Sequence, residues 1–244
     1  MLKRHLAVLA VTGCFSLSLV PLAWGADASL PAGVAAAIAD ASRPEADRQR
    51  DANRKPGELI VFAGIKAGDK VVDLLPGGGY FTRIFAGVVG PSGHVYSLTP
   101  REDANLKAWA AERRNVTYAV QPMDQLEVPE PVDVVWTSLN YHDVVNRGGA
   151  DALNAFAFKA LKPGGTYIVI DHAAGPNPAP DVTSKLHRID PQVVKQQVQA
   201  AGFELEAESD VLRNPEDTYT TGVHDPSIRG RTDQFVLRFR KPAR

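Results

Sequence analysis

The stretch from Val71 to Thr82, which reads VVDLLPGGGYFT, combines an acidic residue with three consecutive glycines. An apolar run stops at Asp73, and an apolar, helix-like pattern resumes after the glycines. Glycine has no Cβ atom, so it allows positive φ angles and lets a ligand approach the backbone. The N–H groups at the start of the next helix favour a carboxylate or phosphate at the same place. The stretch predicts a ligand-binding loop, with a tight strand-to-helix turn as the alternative.

Two other short segments carry side chains that could accept a proton. The segment 140–144, NYHDV, contains His142 and Asp143, and DH at 171–172 contains Asp171 and His172. Imidazole and carboxylate groups are the usual general bases of enzymes. The alternative is that Asp143 caps a helix and that each histidine only forms hydrogen bonds in a loop. The histidines do not follow HH or HxxxH spacing, so no metal site is predicted.

These residues are placed by a regular alternation of strands and helices that begins at Asp69. Strands are predicted in KVVDLL, GHVYSLT, NVTYAV, VDVVWTSL and GTYIVID, with helices such as Tyr80 to Val89 between most of them. Such alternation implies crossover connections and a parallel sheet with both faces covered. In this type of sheet, ligands bind at the carboxyl ends of the strands. The candidate residues all follow strands.

The two ends of the chain depart from this alternation. Residues 29–65 predict two or three helices, with Pro44 and Pro56 in first helical turns. Their densely charged middle is either a solvated helix face or a lid across the mouth of the domain. After residue 190, DPQVVKQQVQAAGF predicts a helix with Asp190 as its N-cap. FELEAESDVL and TDQFVLRFR then predict two strands that pair as a hairpin.

The glycine loop lacks the Lys-Ser/Thr pair of a P-loop and the G-x-G-x-x-G spacing of a dinucleotide fold. It resembles motif I of the class I S-adenosylmethionine-dependent methyltransferases, D-x-G-x-G-x-G, with Leu75 in place of the first glycine. LKPGGTYIVID, VDVVWTSLNYHDV and AGF resemble further segments, so the resemblance covers about residues 57–240. More narrowly, the chain resembles a bacterial group of predicted methyltransferases with export signals. The resemblance implies a doubly wound, mostly parallel seven-stranded α/β sheet and S-adenosylmethionine as the cofactor.

The resemblance also assigns roles to residues. Thr99 stands where the family usually has an acidic residue for the ribose hydroxyls, and Glu102 could substitute for it. Asp124 matches the position that contacts the adenine amino group. His142, Asp143 and His172 become the candidate bases of methyl transfer, and His187 and Arg188 are expected to border the acceptor pocket. The implied cofactor-binding residues are Asp73, Pro76, Gly77, Gly78, Gly79, Tyr80, Thr99, Glu102, Asp124 and Asn140.

Two departures from the motif predict weaker binding of S-adenosylmethionine. Leu75 adds a side chain near the methionine moiety, where the family prefers glycine. Thr99 cannot make the charged bidentate contact, and a hydrogen bond to a charged group contributes about 1.5–3 kcal/mol. Pro76 fixes its own φ angle and is expected to keep Leu75 extended, packed beneath the turn.

The N-terminus predicts export. The first 28 residues, MLKRHLAVLAVTGCFSLSLVPLAWGADA, contain two early basic residues, an apolar core and small residues at Ala23 and Gly25. This pattern is typical of a secretory signal that is cleaved before Ala26. A membrane anchor, or lipoprotein processing at Cys14, is the alternative. We therefore divide the chain into a signal peptide (1–25), a helical segment (26–65) and a methyltransferase-like domain (66–244).

Composition limits the partners that the protein is expected to have. Cleavage would remove two positive charges, which changes the formal net charge from −1 to −3, and no basic stripe marks a nucleic-acid surface. We expect no membrane contact after cleavage. The leading hypothesis is a methyltransferase for a small-molecule acceptor. The alternatives are a non-catalytic protein that binds a nucleoside or metabolite, and a nicotinamide-dependent oxidoreductase, which the glycine spacing disfavours.

Overall fold

The computed structural model describes residues 29–243. The predicted leader, with Cys14 and the cleavage site before Ala26, lies outside the described residues. Within residues 29–243, no helix is long and apolar enough to cross a membrane.

The centre of the molecule is a seven-stranded sheet with the order β3-β2-β1-β4-β5-β7-β6. Strands β1 to β5 run parallel, and β7 runs antiparallel to both β5 and β6. The strands are β1 (Lys70–Leu74), β2 (His94–Thr99), β3 (Val116–Val120), β4 (Val132–Ser138), β5 (Leu161–His172), β6 (Glu204–Ser209) and β7 (Gln234–Arg240). The predicted fold class and the C-terminal hairpin are confirmed.

Helices cover both faces of the sheet. They are α1 (Ala32–Ala39), α2 (Glu45–Arg48), α3 (Asp51–Arg54), α4 (Pro56–Ala63), α5 (Tyr80–Val89), α6 (Ala104–Ala111), α7 (Tyr141–Asn146), α8 (Ala150–Ala160), α9 (Val182–Leu186) and α10 (Pro191–Ala200). On one face, α1, α4 and α5 bury an apolar cluster around Phe85 and Trp136. On the other face, α8 and α10 cover a cluster that includes Tyr167 and Phe239.

The segment before β1 contains four short helices, where the sequence predicted two or three. The densely charged part of this segment forms two separate single-turn helices, α2 and α3. The helical backbone stops after α3 because Lys55 adopts a left-handed conformation (φ 46°). Pro44 is the N-cap of α2, and Pro56 is in the first turn of α4, as predicted. Asp190 caps α10 through a hydrogen bond from the backbone N–H of Gln192 (2.8 Å), also as predicted.

Candidate functional site

The glycine loop leaves the carboxyl end of β1 and turns through three residues with positive φ angles. These are Leu75 (58°), Gly77 (56°) and Gly79 (84°). The expectation that Pro76 keeps Leu75 extended is wrong. The turn requires a left-handed residue at the first glycine position, and Leu75 is held there because its N–H donates to Leu98 O (2.9 Å) and its carbonyl accepts from Nδ2 of Asn140 (3.0 Å). Its side chain packs against the core, as predicted.

The three glycines of the loop differ in their surroundings. A Cβ atom on Gly77 or Gly78 would meet nothing within 4 Å, whereas one on Gly79 would lie 2.4 Å from Cδ1 of Leu106. Gly78 has no positive φ angle, so a larger residue there would strain neither the backbone nor the packing. Gly79 is therefore needed for the fold, while Gly77 and Gly78 leave open space beside their backbone.

Asp73 lies beneath this loop and is almost fully buried. Its Oδ2 accepts a hydrogen bond from the hydroxyl of Thr82 (2.6 Å). Burial raises the pKa of Asp73 to about 7, against the opposing effects of that hydrogen bond and of the nearby charge of Arg54. A carboxyl group that titrates near neutrality at the mouth of a glycine loop marks a candidate ligand site.

Arg54, at the end of α3, lies over the first turn of α5. Its guanidinium carbon is 4.4 Å from the ring centroid of Tyr80 and 5.0 Å from that of Phe81. Within the described part of the chain, its side chain has no hydrogen-bond or ion-pair partner. Burial, with a smaller contribution from Arg50, lowers its pKa to about 10. A partly buried cation without a partner beside the loop suits an anionic ligand group.

Arg54 was not among the residues predicted to form the site. Its sequence carries little signal, since it is one of two basic residues that precede Pro56 in a densely charged segment. That segment reaches the glycine loop, because Oδ1 of Asp51 accepts from the Tyr80 hydroxyl (2.5 Å) and the Asp51 carboxylate pairs with Arg43 (2.7 Å). Arg83 of α5 pairs with Asp47 of α2 (3.1 Å) and donates to the carbonyl of Gly78 (2.6 Å).

The residues predicted to bind the nucleoside follow β2 and β3 at the same edge of the sheet. Oγ1 of Thr99 bonds to the backbone of Arg101 (2.9 Å), so it shapes the turn after β2. Glu102 is exposed, and one of its carboxylate oxygens pairs with Lys107 (2.6 Å). Asp124 is exposed in the loop after β3. Among the described residues, no hydrogen bond or ion pair joins these three side chains to the glycine loop.

His142 and His172 share one buried carboxylate, that of Asp171. The Nδ1 atom of His142 lies 2.8 Å from Oδ1 of Asp171, and both histidine backbone N–H groups donate to the same carboxylate. Burial lowers the pKa of His142, but the hydrogen bond and charge of Asp171 outweigh it, so the pKa is raised. His172 bonds through Nδ1 to Thr232 (2.7 Å), and burial lowers its pKa to about 4.

His187 lies next to this pair, at the end of α9. Its ring centroid is 5.3 Å from that of His142, and its Nδ1 atom is 3.4 Å from Oδ1 of Asp143. Arg188 was expected to border the acceptor pocket, but its side chain is fully buried in a bidentate pair with Asp217 (2.8 and 3.0 Å). The guanidinium thus holds the chain beside His187 and is closed to a ligand.

A cavity of about 320 Å³ opens at the opposite edge of the sheet, near the starts of β4 and β5. Its lysines pair with aspartates, Lys66 with Asp69 and Lys162 with Asp133. Since these charges are already neutralised, the cavity offers no free group for chemistry, and the carboxyl edge remains the candidate site.

The chain is similar in sequence to known methyltransferases over about half of its length. No protein-family model matches the chain. It is 31% identical over 126 residues to the ubiquinone/menaquinone biosynthesis C-methyltransferase UbiE of Ectopseudomonas mendocina, a match over 49% of this chain and 48% of that protein. The chain thus spans about half the length of the curated relatives it matches.

Solved structures match over more of the chain. A SAM-dependent methyltransferase from Aquifex aeolicus superposes with a TM-score of 0.54 at 17% identity, over 75% of this chain and 88% of that one. The [4+2]-cyclase SpnF superposes with a TM-score of 0.60 at 18% identity, over 82% of each chain. The strand order, with β7 inserted antiparallel, agrees with this similarity. The fold is that of the class I methyltransferases.

Within the class I methyltransferase fold, the candidate residues divide into two neighbouring groups. Asp73, the open glycines and Arg54 form the first group, at the end of β1. His142, Asp143, His172 and His187 form the second, after β4 and β5. Asn140 joins the groups, because its Nδ2 atom donates to the carbonyl of Leu75 (3.0 Å). This arrangement suits a cofactor on one side and an acceptor on the other.

Proposed function

We propose that the protein is an exported S-adenosylmethionine-dependent methyltransferase that acts on a small-molecule acceptor. The observation that carries the proposal is the pairing of open backbone at Gly77 and Gly78 with two ionisable groups of opposite charge. The amino acid part of S-adenosylmethionine has an ammonium and a carboxylate. Asp73 is placed to bind the ammonium and Arg54 to bind the carboxylate, since hydrogen bonds between ionised groups are the strong ones.

The rest of the cofactor contacts follow from the motif register. Thr99 would bind the ribose and Asp124 the adenine amino group, with Pro76, Gly79 and Tyr80 shaping the loop. Because Thr99 is uncharged and Glu102 is paired with Lys107, we expect modest affinity. When bound, S-adenosylmethionine supplies an electrophilic methyl group. The chain itself has to align the acceptor and exclude water.

Among the residues near the expected acceptor, His142 is the best candidate for the general base. Asp171 holds its Nδ1 atom, which orients the imidazole and leaves Nε2 toward Asp143, 3.7 Å away. Nε2 is thus the atom placed to take a proton from an acceptor hydroxyl or amine. His172 is less suited, because its Nδ1 is bonded to Thr232 and its lowered pKa makes it a weak base. Asp143 would help to orient the acceptor.

A small molecule is the proposed acceptor because the sequence is nearly balanced in charge, with 27 Lys and Arg against 28 Asp and Glu, and has no basic stripe of the kind that marks a nucleic-acid surface. The relatives named UbiE methylate carbon in quinone biosynthesis according to their names, but the match covers about half of their length. That chemistry is one acceptor class to test.

The second candidate is a non-catalytic protein that binds a nucleoside or metabolite. Leu75 and Thr99 favour it, since both depart from the cofactor motif. Export also favours it, because an exported enzyme is separated from the cytosolic cofactor pool. The match to a protein named as a cyclase shows that one fold hosts several chemistries.

Calorimetry on the native protein tests these functional hypotheses, with S-adenosylmethionine, S-adenosylhomocysteine and NAD as ligands. The parent should bind the first two and not NAD. Gly78→Val should abolish binding with little loss of stability, because its side chain enters open space beside the loop. Gly33→Val is the matched control, since a Cβ atom at this exposed position also meets nothing within 4 Å.

Thr99→Asp tests whether the missing carboxylate limits affinity. It should tighten binding by roughly 10-fold or more, given ~1.5–3 kcal/mol for a charged hydrogen bond. If neither the parent nor Thr99→Asp binds S-adenosylmethionine or S-adenosylhomocysteine, the loop is a remnant and the non-catalytic reading is favoured.

A further inference from the structure

Three potential metal ligands come together from two separate helices: His142 and Asp143 in the first turn of α7, and His187 at the end of α9. Nε2 of His142 lies 3.7 Å and Nδ1 of His187 lies 3.4 Å from Oδ1 of Asp143. Their ligand atoms all lie within 4.8 Å of one another. The sequence predicted no metal site, because the two histidines are 45 positions apart and their spacing matches no ligand motif.

The separations suit ligands of one ion better than direct hydrogen bonds. A hydrogen bond between nitrogen and oxygen spans about 2.7–3.2 Å. Two ligands that are each ~2.0–2.1 Å from a tetrahedral zinc ion lie about 3.3 Å apart. Both contacts to Asp143 are close to the second value, so small adjustments would place an ion among the three side chains.

His187 carries independent evidence for a ligand. Its Nδ1 atom is buried and has no hydrogen-bond partner within residues 29–243. Its backbone is held in the left-handed region (φ 54°), where non-glycine residues are uncommon. The buried Arg188 fixes the adjacent peptide through Asp217 and the carbonyl of Ala173 (3.0 Å). The chain thus imposes an unfavourable backbone conformation that aims an unpaired nitrogen at Asp143.

Asp171 orients the ring of His142 as a metal ligand. Asp171, fully buried, lies 2.8 Å from Nδ1 of His142, so the other ring nitrogen, Nε2, is left free for an ion. Metal-binding histidines almost always donate their second N–H to a carboxylate or carbonyl in this way. His224 touches the His187 ring (4.8 Å between centroids) but is exposed and outside the ligand set.

We propose that Nε2 of His142, Nδ1 of His187 and the carboxylate of Asp143 bind one divalent first-row transition-metal ion, of which zinc is the representative. Two imidazoles and one carboxylate are a common ligand set of such ions, and three protein ligands leave a position for an exogenous oxygen ligand. The metal site itself does not depend on methyl transfer. Only its use for orienting an acceptor oxygen rests on the proposed function, and there Nε2 of His142 would be a ligand instead of a base.

The test is zinc titration of the native, chelator-treated protein by calorimetry, with metal content measured after gel filtration. The parent should bind about one ion per chain. His187→Asn should lose at least about 100-fold in affinity, and Asp171→Asn about 10- to 100-fold, through the His142 ring. Asparagine tolerates the left-handed backbone better than most residues. His224→Asn is the matched control and should bind zinc like the parent.

A second readout guards against variants that fold poorly. Cobalt(II) added to the parent should give the visible absorption of a site with nitrogen and oxygen ligands, and zinc should displace it. The proposal is overturned if the parent retains no more zinc than His187→Asn, or if that variant binds zinc like the parent while folded by circular dichroism. S-adenosylhomocysteine binding is measured in parallel, so that failure of the metal site and failure of the cofactor site are separate results.

Discussion

The guanidinium of Arg54 lies partly buried beside the glycine loop and has no partner in the described part of the chain, so substitution of Arg54 tests its contribution to ligand binding directly. Arg54→Gln should weaken S-adenosylmethionine binding by roughly 10- to 100-fold, since a charge-assisted hydrogen bond contributes ~1.5–3 kcal/mol. Arg50→Gln is the matched control, because Arg50 also faces the Tyr80 ring (5.3 Å) but is exposed. Equal affinities of the two variants in calorimetry would remove Arg54 from the cofactor site.

Asp73 gives the protein without ligand a predictable pH dependence. Its pKa is about 7 in the folded state against 3.8 in the reference state, so the folded state binds more protons between these values. Stability therefore decreases as pH rises from about 4 to about 7 and then levels, by roughly 4 kcal/mol at most. Urea unfolding at several pH values should show this slope in the parent, relative to Asp73→Asn. Parallel profiles of the two proteins would contradict the raised pKa.

At this scale, the sequence predicted the type of chemistry better than the conformations that arrange it. Asp73 and the glycines could be predicted because their order along the chain carries the motif. The left-handed Leu75 could not be predicted, because the preceding-proline effect that favours extended geometry was outweighed by contacts to Leu98 and Asn140. His187, at the end of α9, lies next to His142 of α7 only in the folded protein. The sequence around neither residue indicates that contact.

Among the elements, the short helices α2 and α3 are the ones whose attachment can be tested. The carboxylate of Asp51 accepts a hydrogen bond from the Tyr80 hydroxyl and forms an ion pair with Arg43, whose side chain is only 2% exposed. Asp51→Ala would leave a buried charge without its partner, which costs about 3 kcal/mol or more. We expect protease cleavage within residues 44–55 to become faster, while the sheet stays protected.

The control for this prediction is Asp40→Ala, because Asp40 is an exposed residue of the same segment. Among the described residues, its side chain accepts a hydrogen bond only from the backbone N–H of Ser42 (2.8 Å). Mass spectrometry of early thermolysin fragments distinguishes the outcomes. If Asp51→Ala and Asp40→Ala are cleaved at the same rate, the Asp51 contacts do not hold the segment on the domain, and the predicted lid loses its support.

The positions of the strands and helices could be predicted from the sequence more fully than the arrangement of the candidate site. Each strand except β5 lies within a segment predicted as strand, because alternating apolar runs and turn residues report local burial. Strand β5 contains its predicted segment, GTYIVID, but begins four residues earlier, at Leu161, and ends one residue later, at His172. The helices α7 and α9 were not predicted. They are one to two turns long and have little periodicity of their own, so their form depends on packing against each other and the sheet.

For the whole molecule, the untested prediction is export. If residues 1–25 are a cleaved signal, native protein purified from its source should begin at or near Ala26, by N-terminal sequencing or intact mass. Processing at Cys14 would instead leave a lipid-modified chain. Intact Met1 on cytosolic protein would contradict export, remove the separation from the cofactor pool and strengthen the methyltransferase proposal.

The position of β7 has a consequence for how the chain reaches its native state during synthesis. Residues 234–240 follow every other strand in the chain, yet they lie inside the sheet, between β5 and β6. Until they emerge, the edge of β5 is unpaired and β6 has no place to dock, so the native sheet cannot close. Closure of the native sheet is therefore delayed until residues 234–240 are available to pair. A secretion channel that threads only unfolded polypeptide would require this same delay.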